Sequence, residues 1–298
     1  MNHQLLQQVQ QGNVKAIARS ISIIENEVPG YEELLSSLPV SSKKIIGITG
    51  PPGAGKSTLV DGLIRTLIKL GNHVGVLCVD PSSPFNLGAL LGDRIRMSEW
   101  YTNKNVFIRS LATRGSLGGL HPKIIEISEL MKTAPFDYII IETVGVGQSE
   151  IEIAGLADTT VVVVVPEAGD EVQTMKAGLM EIADIFVVNK ADRPGADLFV
   201  RNLRSMIAPG GFNQLKTAVI KTVATKHIGL EELLKEICQH QDTSLLPLKR
   251  HWLLTEKVFH LIQRKRMTSV DKEVLQEKIK QELVDGEFNL YRFASNYF

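Results

Sequence analysis

A short apolar run, Ile45 to Thr49, leads into Gly50-Pro-Pro-Gly53-Ala-Gly55-Lys56-Ser57, and a helix-like stretch from Thr58 to Leu70 follows. The string fits G-x-x-x-x-G-K-[ST] in the order strand, loop, helix, the setting in which this pattern carries chemistry. No other feature narrows the fold as much, because such a loop belongs at the carboxyl end of a strand in an α/β sheet. Its glycines let backbone N–H groups turn inward and reach phosphate oxygens without Cβ clashes. The helix start adds partial positive charge. Gly53, Ala54 and Gly55 would line the phosphates, and Lys56 would pair with the β- and γ-phosphates. Ser57 would place its hydroxyl on Mg²⁺, and Thr58 would meet the α-phosphate. The competing reading is a glycine-rich turn of no chemical consequence.

The remaining pattern suits such a sheet. Strands are expected at Ile45 to Thr49, His73 to Asp80, Val106 to Ile108, Tyr138 to Thr143, Thr159 to Val165, Ile185 to Asn189 and Ala218 to Thr222, with helix-sized intervals between them. Continuous apolar runs, rather than in/out alternation, are what strands need when helices cover both faces, so a mostly parallel α/β sheet is predicted. Leu5, Leu6, Val9, Val14, Ile17 and Ile21 recur at helical spacing ahead of it, and Trp252, Val258, Leu261, Ile262, Leu275, Ile279 and Leu283 do so after it. The chain is therefore read as a helical N-terminal extension (1–42), a P-loop domain (43–240) and a helical C-terminal extension (241–298).

Charge is balanced, 33 Lys and Arg against 33 Asp and Glu. That leaves no field for gathering a phosphate backbone, so no nucleic-acid partner is expected. Two cysteines cannot form a disulfide framework. No apolar run approaches the roughly 20 residues of a spanning helix, and the N-terminus lacks a leader pattern, so a cytoplasmic protein away from membranes is expected.

A nucleotide-bound Mg²⁺ takes one or two carboxylates delivered near the phosphates. Asp80 and Glu142 each close an expected strand, and Asp93 lies in Leu91-Gly-Asp-Arg-Ile-Arg-Met97, a stretch without strand pattern. Each is a candidate ligand; the plainer alternative is an acid capping the next helix. Glu142-x-x-Gly145 has the layout of a γ-phosphate sensor, with Gly145 free to swing its N–H toward that phosphate. At the end of the sixth strand stands Asn189-Lys190-Ala191-Asp192. A carboxylate has only acceptors, and guanine offers N1–H and N2–H₂ side by side, so Asp192 could hold both. Asn189 would brace neighbouring loops and reach N7, while the Lys190 stem would cover the base. Val223, Ala224 and Thr225 form a second candidate guanine-facing loop.

These residues resemble the SIMIBI class of P-loop GTPases. More narrowly, the chain resembles the MeaB/ArgK/MMAA-like GTPase chaperones of adenosylcobalamin-dependent acyl-CoA mutases, notably methylmalonyl-CoA mutase. The likeness spans about Lys43 to Leu233 and rests on Val79-Asp-Pro-Ser-Ser-Pro84, the stretch from Leu91 to Met97, Ile108-Arg-Ser-Leu-Ala-Thr-Arg-Gly-Ser-Leu-Gly-Gly119, Glu142-Thr-Val-Gly-Val-Gly-Gln-Ser-Glu150 and Pro166-Glu-Ala-Gly-Asp-Glu-Val-Gln-Thr-Met-Lys176. It departs at Phe85-Asn-Leu-Gly-Ala89, where Thr-Gly-Gly-Ser is expected. The resemblance implies GTP/GDP and Mg²⁺ as cofactors, an acyl-CoA mutase as partner, and a homodimer built partly by the C-terminal helices. It also implies a mobile segment from Pro166 to Lys176, with Lys176 a contributor to hydrolysis and Arg109 and Arg114 as other candidate cations. No glutamine follows Gly145 directly, and Gln148 is the nearest substitute, so slow basal hydrolysis raised by a partner is expected. Two other functions compete. One is a kinase of an amino-acid transport system, against which Asn189-x-x-Asp192 argues. The other is a metal-insertion GTPase, which would need soft or imidazole ligands where this chain has only scattered histidines.

Overall fold

The central strand of the sheet, β1 (Ile45–Thr49), is buried along its whole length. It lies between β4 (Tyr138–Glu142) and β5 (Thr159–Val164) in a seven-stranded sheet of order β3-β2-β4-β1-β5-β6-β7. The others are β2 (Val74–Asp80), β3 (Val106–Ala112), β6 (Ile185–Val188) and β7 (Ala218–Lys221), and every pairing is parallel. The computed structural model describes residues 2–80, 97–113, 120–143, 152–166, 177–207, 217–242, 246–267, 269–284 and 288–297.

The β-branched runs are continuous because both faces are covered. Ile46, Ile48, Val161 and Val163 pack with Leu59, Leu63, Ile64 and Leu67 of α4 (Lys56–Lys69) and with Leu233 and Ile237 of α8 (Leu230–Gln241). On the other face, Val162, Val164, Phe186 and Val188 meet Phe199, Val200 and Leu203 of α7 (Ala196–Met206). There also Ile45, Leu77, Val79, Ile139 and Ile141 pack with α5 (Ile124–Met131) and with the N-terminal helices α1 (Asn2–Gln10), α2 (Val14–Glu25) and α3 (Tyr31–Ser36). Ile17, Ile21, Ile24 and Leu34 are fully buried in that cluster. Burying four such side chains is worth on the order of 6–10 kcal/mol of transfer free energy, so these helices are part of the core.

The sheet is pegged at its amino edge by acids that precede strands. Asp158 accepts from the Ile45 N–H, Asp184 from the Thr160 N–H and Asp137 from the His73 N–H, each at 2.7 Å. Each satisfies a strand-entry donor that the ladder leaves unmet. β3 runs four residues beyond its expected end at Ile108. Arg109 and Ser110 mask the strand pattern, yet this edge strand tolerates them because Arg109 donates to Glu25 Oε2 (2.9 Å) and Ser22 Oγ (3.1 Å) on α2.

By its contacts the chain divides into Met1–Leu253 and Leu254–Phe298, a boundary that falls inside the helix α9 (Leu246–Met267). The second unit continues with α10 (Lys272–Val284), capped by the Asp271 carboxylate at the Glu273 N–H, and α11 (Leu290–Ser295), capped by Asn289. Phe293 is its buried anchor, with the Phe288 and Tyr297 rings each 5.7 Å away. Among the described residues, no helix is long and apolar enough to cross a membrane. Between α5 and α7 a short helix, α6 (Ala177–Ile182), completes the helical set.

Candidate functional site

The strand order reverses around β1, so the carboxyl ends of β1, β4, β5 and β6 share the edge at which a doubly wound sheet forms its crevice. The loop from β1 to α4 needs left-handed or wider backbone, with φ of 139° at Gly50, 77° at Gly53 and 90° at Gly55. A Cβ at Gly50 would lie 2.1 Å from the Val163 carbonyl oxygen, so a side chain is excluded there on steric grounds as well. Gly55 is the N-cap of α4, and its carbonyl accepts from the Leu59 N–H at 2.9 Å. The helix therefore starts on the residues that would meet phosphate, with its dipole pointed at them. Ala54 is buried beneath the loop, and Thr58 sits partly exposed in the first turn. Lys56 is buried and donates to the carbonyls of Gly50 (2.9 Å) and Pro51 (3.2 Å). Phosphate oxygens at the mouth of the loop would compete for the same ammonium.

Ser57 and Glu142 meet although 85 residues separate them, the serine hydroxyl donating to Glu142 Oε1 at 2.7 Å. The contact exists because β4 pairs directly with β1, Ile48 opposite Glu142, which brings the end of one strand beside the loop leaving the other. Cys78 of β2 stands opposite Glu142 on its other side, so Asp80, buried at the end of β2, lies two residues further toward the crevice. The donor set is all oxygen, a hydroxyl with one or two carboxylates. That suits a hard cation arriving with its nucleotide, and among the described residues no group of three or more His, Cys, Asp or Glu forms a dedicated cage. Thr143 reinforces the junction: its hydroxyl donates to that of Thr49 (2.9 Å), and its N–H donates to the Ile48 carbonyl (3.0 Å). Beyond the edge of β2, the turn Ser98–Trp100 is fastened to α4 by the Trp100 indole N–H on Asp61 (2.7 Å). Burial pushes the Asp61 carboxyl above its ordinary value.

The loops at the other end are joined through Asn189. Its amide donates to the Ala54 carbonyl at 2.9 Å, and its oxygen accepts from the Thr222 hydroxyl and the Ala224 N–H, each at 3.1 Å. One buried side chain thus binds the phosphate loop, β6 and the loop after β7, the bracing role its position suggests. Lys190 takes a left-handed backbone, φ 55°, a strained choice for a non-glycine residue that aims the next residues outward. Asp192 is exposed, and its carboxylate accepts from Lys226 Nζ at 3.0 Å. That bond, the largest cause, holds the carboxyl below its ordinary value. Val223 and Ala224 are buried and Thr225 is exposed.

The structure thus brings together Gly53, Ala54, Gly55, Lys56, Ser57, Thr58, Asp80 and Glu142 at one end, and Asn189, Lys190, Asp192, Val223, Ala224 and Thr225 at the other. Asp93, Gly145 and Lys176, with Arg114 and Gln148, lie outside the described residues. Arg109 is engaged by Glu25 and Ser22 on the face lined by α2. Thr49, Thr143, Thr222 and Lys226 had no sequence signal, since each is defined by a partner elsewhere in the chain.

Comparison with known proteins finds matches over most of the chain. The family described as methylmalonyl Co-A mutase-associated GTPase MeaB matches residues 17–282. A Pyrococcus abyssi protein provisionally named a GTPase is 45% identical over 97% of this chain and 89% of its own length. The mouse mitochondrial methylmalonic aciduria type A homolog is 44% identical over 49% of this chain, which is 35% of that protein. Among solved structures, a LAO/AO transport system kinase matches with a TM-score of 0.71, covering 99% of this chain and 96% of that one. At 23% identity that match speaks to the fold alone.

Proposed function

The chain belongs to the methylmalonyl Co-A mutase-associated GTPase family MeaB, and on that premise we propose that it is a Mg²⁺-dependent GTPase chaperone. Its task would be to gate the loading or protection of cobalamin in an adenosylcobalamin-dependent acyl-CoA mutase. The observation that carries the nucleotide part is the Ser57–Glu142 contact at 2.7 Å beside Lys56, on the same edge as the Asn189 brace. The mutase part is supported by the family and by the name of the mouse relative.

In this reading Lys56 exchanges the Gly50 and Pro51 carbonyls for phosphate oxygens, a motion within one flexible side chain. Ser57, Glu142 and Asp80 would hold Mg²⁺, which when bound offsets charge on the phosphates. Asp93 would add a further ligand, and the Gly145 N–H would contact the γ-phosphate. Asp192 would take the paired N–H donors of guanine, with Lys190 and the loop from Val223 to Thr225 around the base. Lys176 would approach the developing γ-phosphate charge once a partner rearranges its segment, a contribution worth several orders of magnitude. Basal turnover is then slow. Exposed Val258, Phe259, Ile262, Leu283 and Val284 in the carboxy-terminal unit support assembly of two copies, a mass that light scattering reads directly.

The test is GTP turnover by the full chain, alone and with candidate acyl-CoA mutases. Stimulation of at least about tenfold by one of them is expected. Turnover unchanged by every acyl-CoA mutase would remove the chaperone role and leave the GTPase standing. Equal affinity for ATP and GTP would remove the guanine reading.

A further inference from the structure

Asn189 and Asp192 share a loop but are held very differently. Asn189 is buried and fixed by three hydrogen bonds. The Asp192 side chain is 43% exposed, free on that account to rotate unless something holds it. Reading two adjacent donors requires both carboxylate oxygens in the plane of the base, and a rotating carboxylate must give up that freedom on binding. The side chain placed to prevent this is Lys226, whose ammonium lies 3.0 Å from Asp192 Oδ2.

The backbone delivers that ammonium by a fixed route. Lys226 ends the turn Ala224–Lys226, and its N–H donates to the Val223 carbonyl at 2.9 Å. His227 then reverses the chain with φ of 56°, and Val223 and Ile228 exchange N–H···O bonds of 3.1 and 3.3 Å. This closed loop is tied to the loop of Asp192 by the Ala191 N–H on the Thr222 carbonyl (3.0 Å) and by Asn189. Val223, at the entry to the turn, has no side-chain donor to offer the carboxylate.

We propose that Lys226 is a positioning residue for guanine recognition, holding Oδ2 of Asp192 so that both carboxylate oxygens face N1–H and N2–H₂ of the base. The inference rests on the GTP reading given above. One lysine bond leaves lone pairs on both oxygens for the base. Hypoxanthine keeps N1–H but lacks the amino group. A loosened carboxylate can still meet one donor but meets two less well, so losing Lys226 should weaken GTP more than ITP.

The experiment measures GTP, GDP and ITP affinity and steady-state turnover for the full chain and its Lys226→Met, Lys226→Arg and Asp192→Ala variants. Lys226→Met is expected to weaken GTP and GDP about two- to fivefold, the range of an exposed charge pair, and to raise KM with little change in kcat. The GTP/ITP affinity ratio should shrink. Lys226→Arg should restore it, and Lys226→Met should add nothing in an Asp192→Ala background. If Asp192→Ala weakens GTP while Lys226→Met leaves the GTP/ITP ratio intact, or weakens both nucleotides equally, the role of the lysine is overturned and the base reading stands. If Asp192→Ala leaves GTP affinity unchanged, the base reading fails and takes this inference with it.

Discussion

The two edges of the sheet use the same chemical group in opposite ways. At the amino edge Asp137, Asp158 and Asp184 each stand just before a strand and accept a backbone N–H at the start of, or just ahead of, the neighbouring one. At the carboxyl edge Glu142 closes its strand and accepts instead from the Ser57 hydroxyl, again at 2.7 Å. A backbone donor cannot turn away without breaking a strand, whereas a serine hydroxyl can turn toward a cation without moving the main chain. An acid paired with main chain is therefore a peg, and an acid paired with a displaceable side chain is available for chemistry. Distance and burial alone do not separate the two, since Asp158 and Glu142 are both buried.

The largest effect that could break this contrast is at Glu142. Glu142→Gln keeps an acceptor for Ser57 but removes the charge, so GTP turnover should fall by about 10–100-fold and require more Mg²⁺. Folding stability should move by less than about 1 kcal/mol, because the serine bond survives. Turnover titrated against Mg²⁺, alongside a urea curve, reads both; a variant that unfolds early but turns over normally would make Glu142 one more peg. The mirror-image result is expected at Asp158. Asp158→Ala strands the buried Ile45 N–H and should cost about 1–3 kcal/mol of stability, with GTP affinity of the folded protein within about twofold of the parent. Loss of affinity without loss of stability would erase the distinction between the edges.

The sequence carried what depends on neighbours in the chain. Strands were legible where continuous β-branched runs admit few alternatives, β3 only in its first three residues, and the strings of the phosphate loop and Asn189-Lys-Ala-Asp192 stood out because their pattern is set by local spacing. The N-terminal helices were visible as periodic apolar positions, but Ile17 and Ile21 gave no sign that they share a core with Leu77 and Ile139. Arg109 shows the same gap. The family resemblance makes it a candidate cation for hydrolysis; in the fold its charge meets Glu25, 84 residues away, and the pair fastens α2 to the edge strand. The pegs at the amino edge escaped notice for a related reason. An aspartate before a strand has no signature until the neighbouring strand is known, and that neighbour is 113 residues away for Asp158.

The finest division lies within the carboxyl edge itself, at Thr143. Its hydroxyl bonds to a side chain, that of Thr49, and both threonines are buried at strand ends, so the bond acts as a strap between the acid-bearing strand and the phosphate loop. Thr143→Val leaves the Thr49 hydroxyl without this partner and should cost about 1 kcal/mol, while Thr143→Ser, which keeps the hydroxyl, should cost less. Because the strap joins β4 to β1 next to Glu142, the valine variant should loosen the cation end and leave the base end alone. GTP affinity in the presence of Mg²⁺ should then weaken by no more than about twofold, with GDP affinity in chelator unchanged. Equal weakening of both nucleotides would mean that the two ends of the crevice move together through β1, and that a bond to a side chain is no guide to which acids serve the cation.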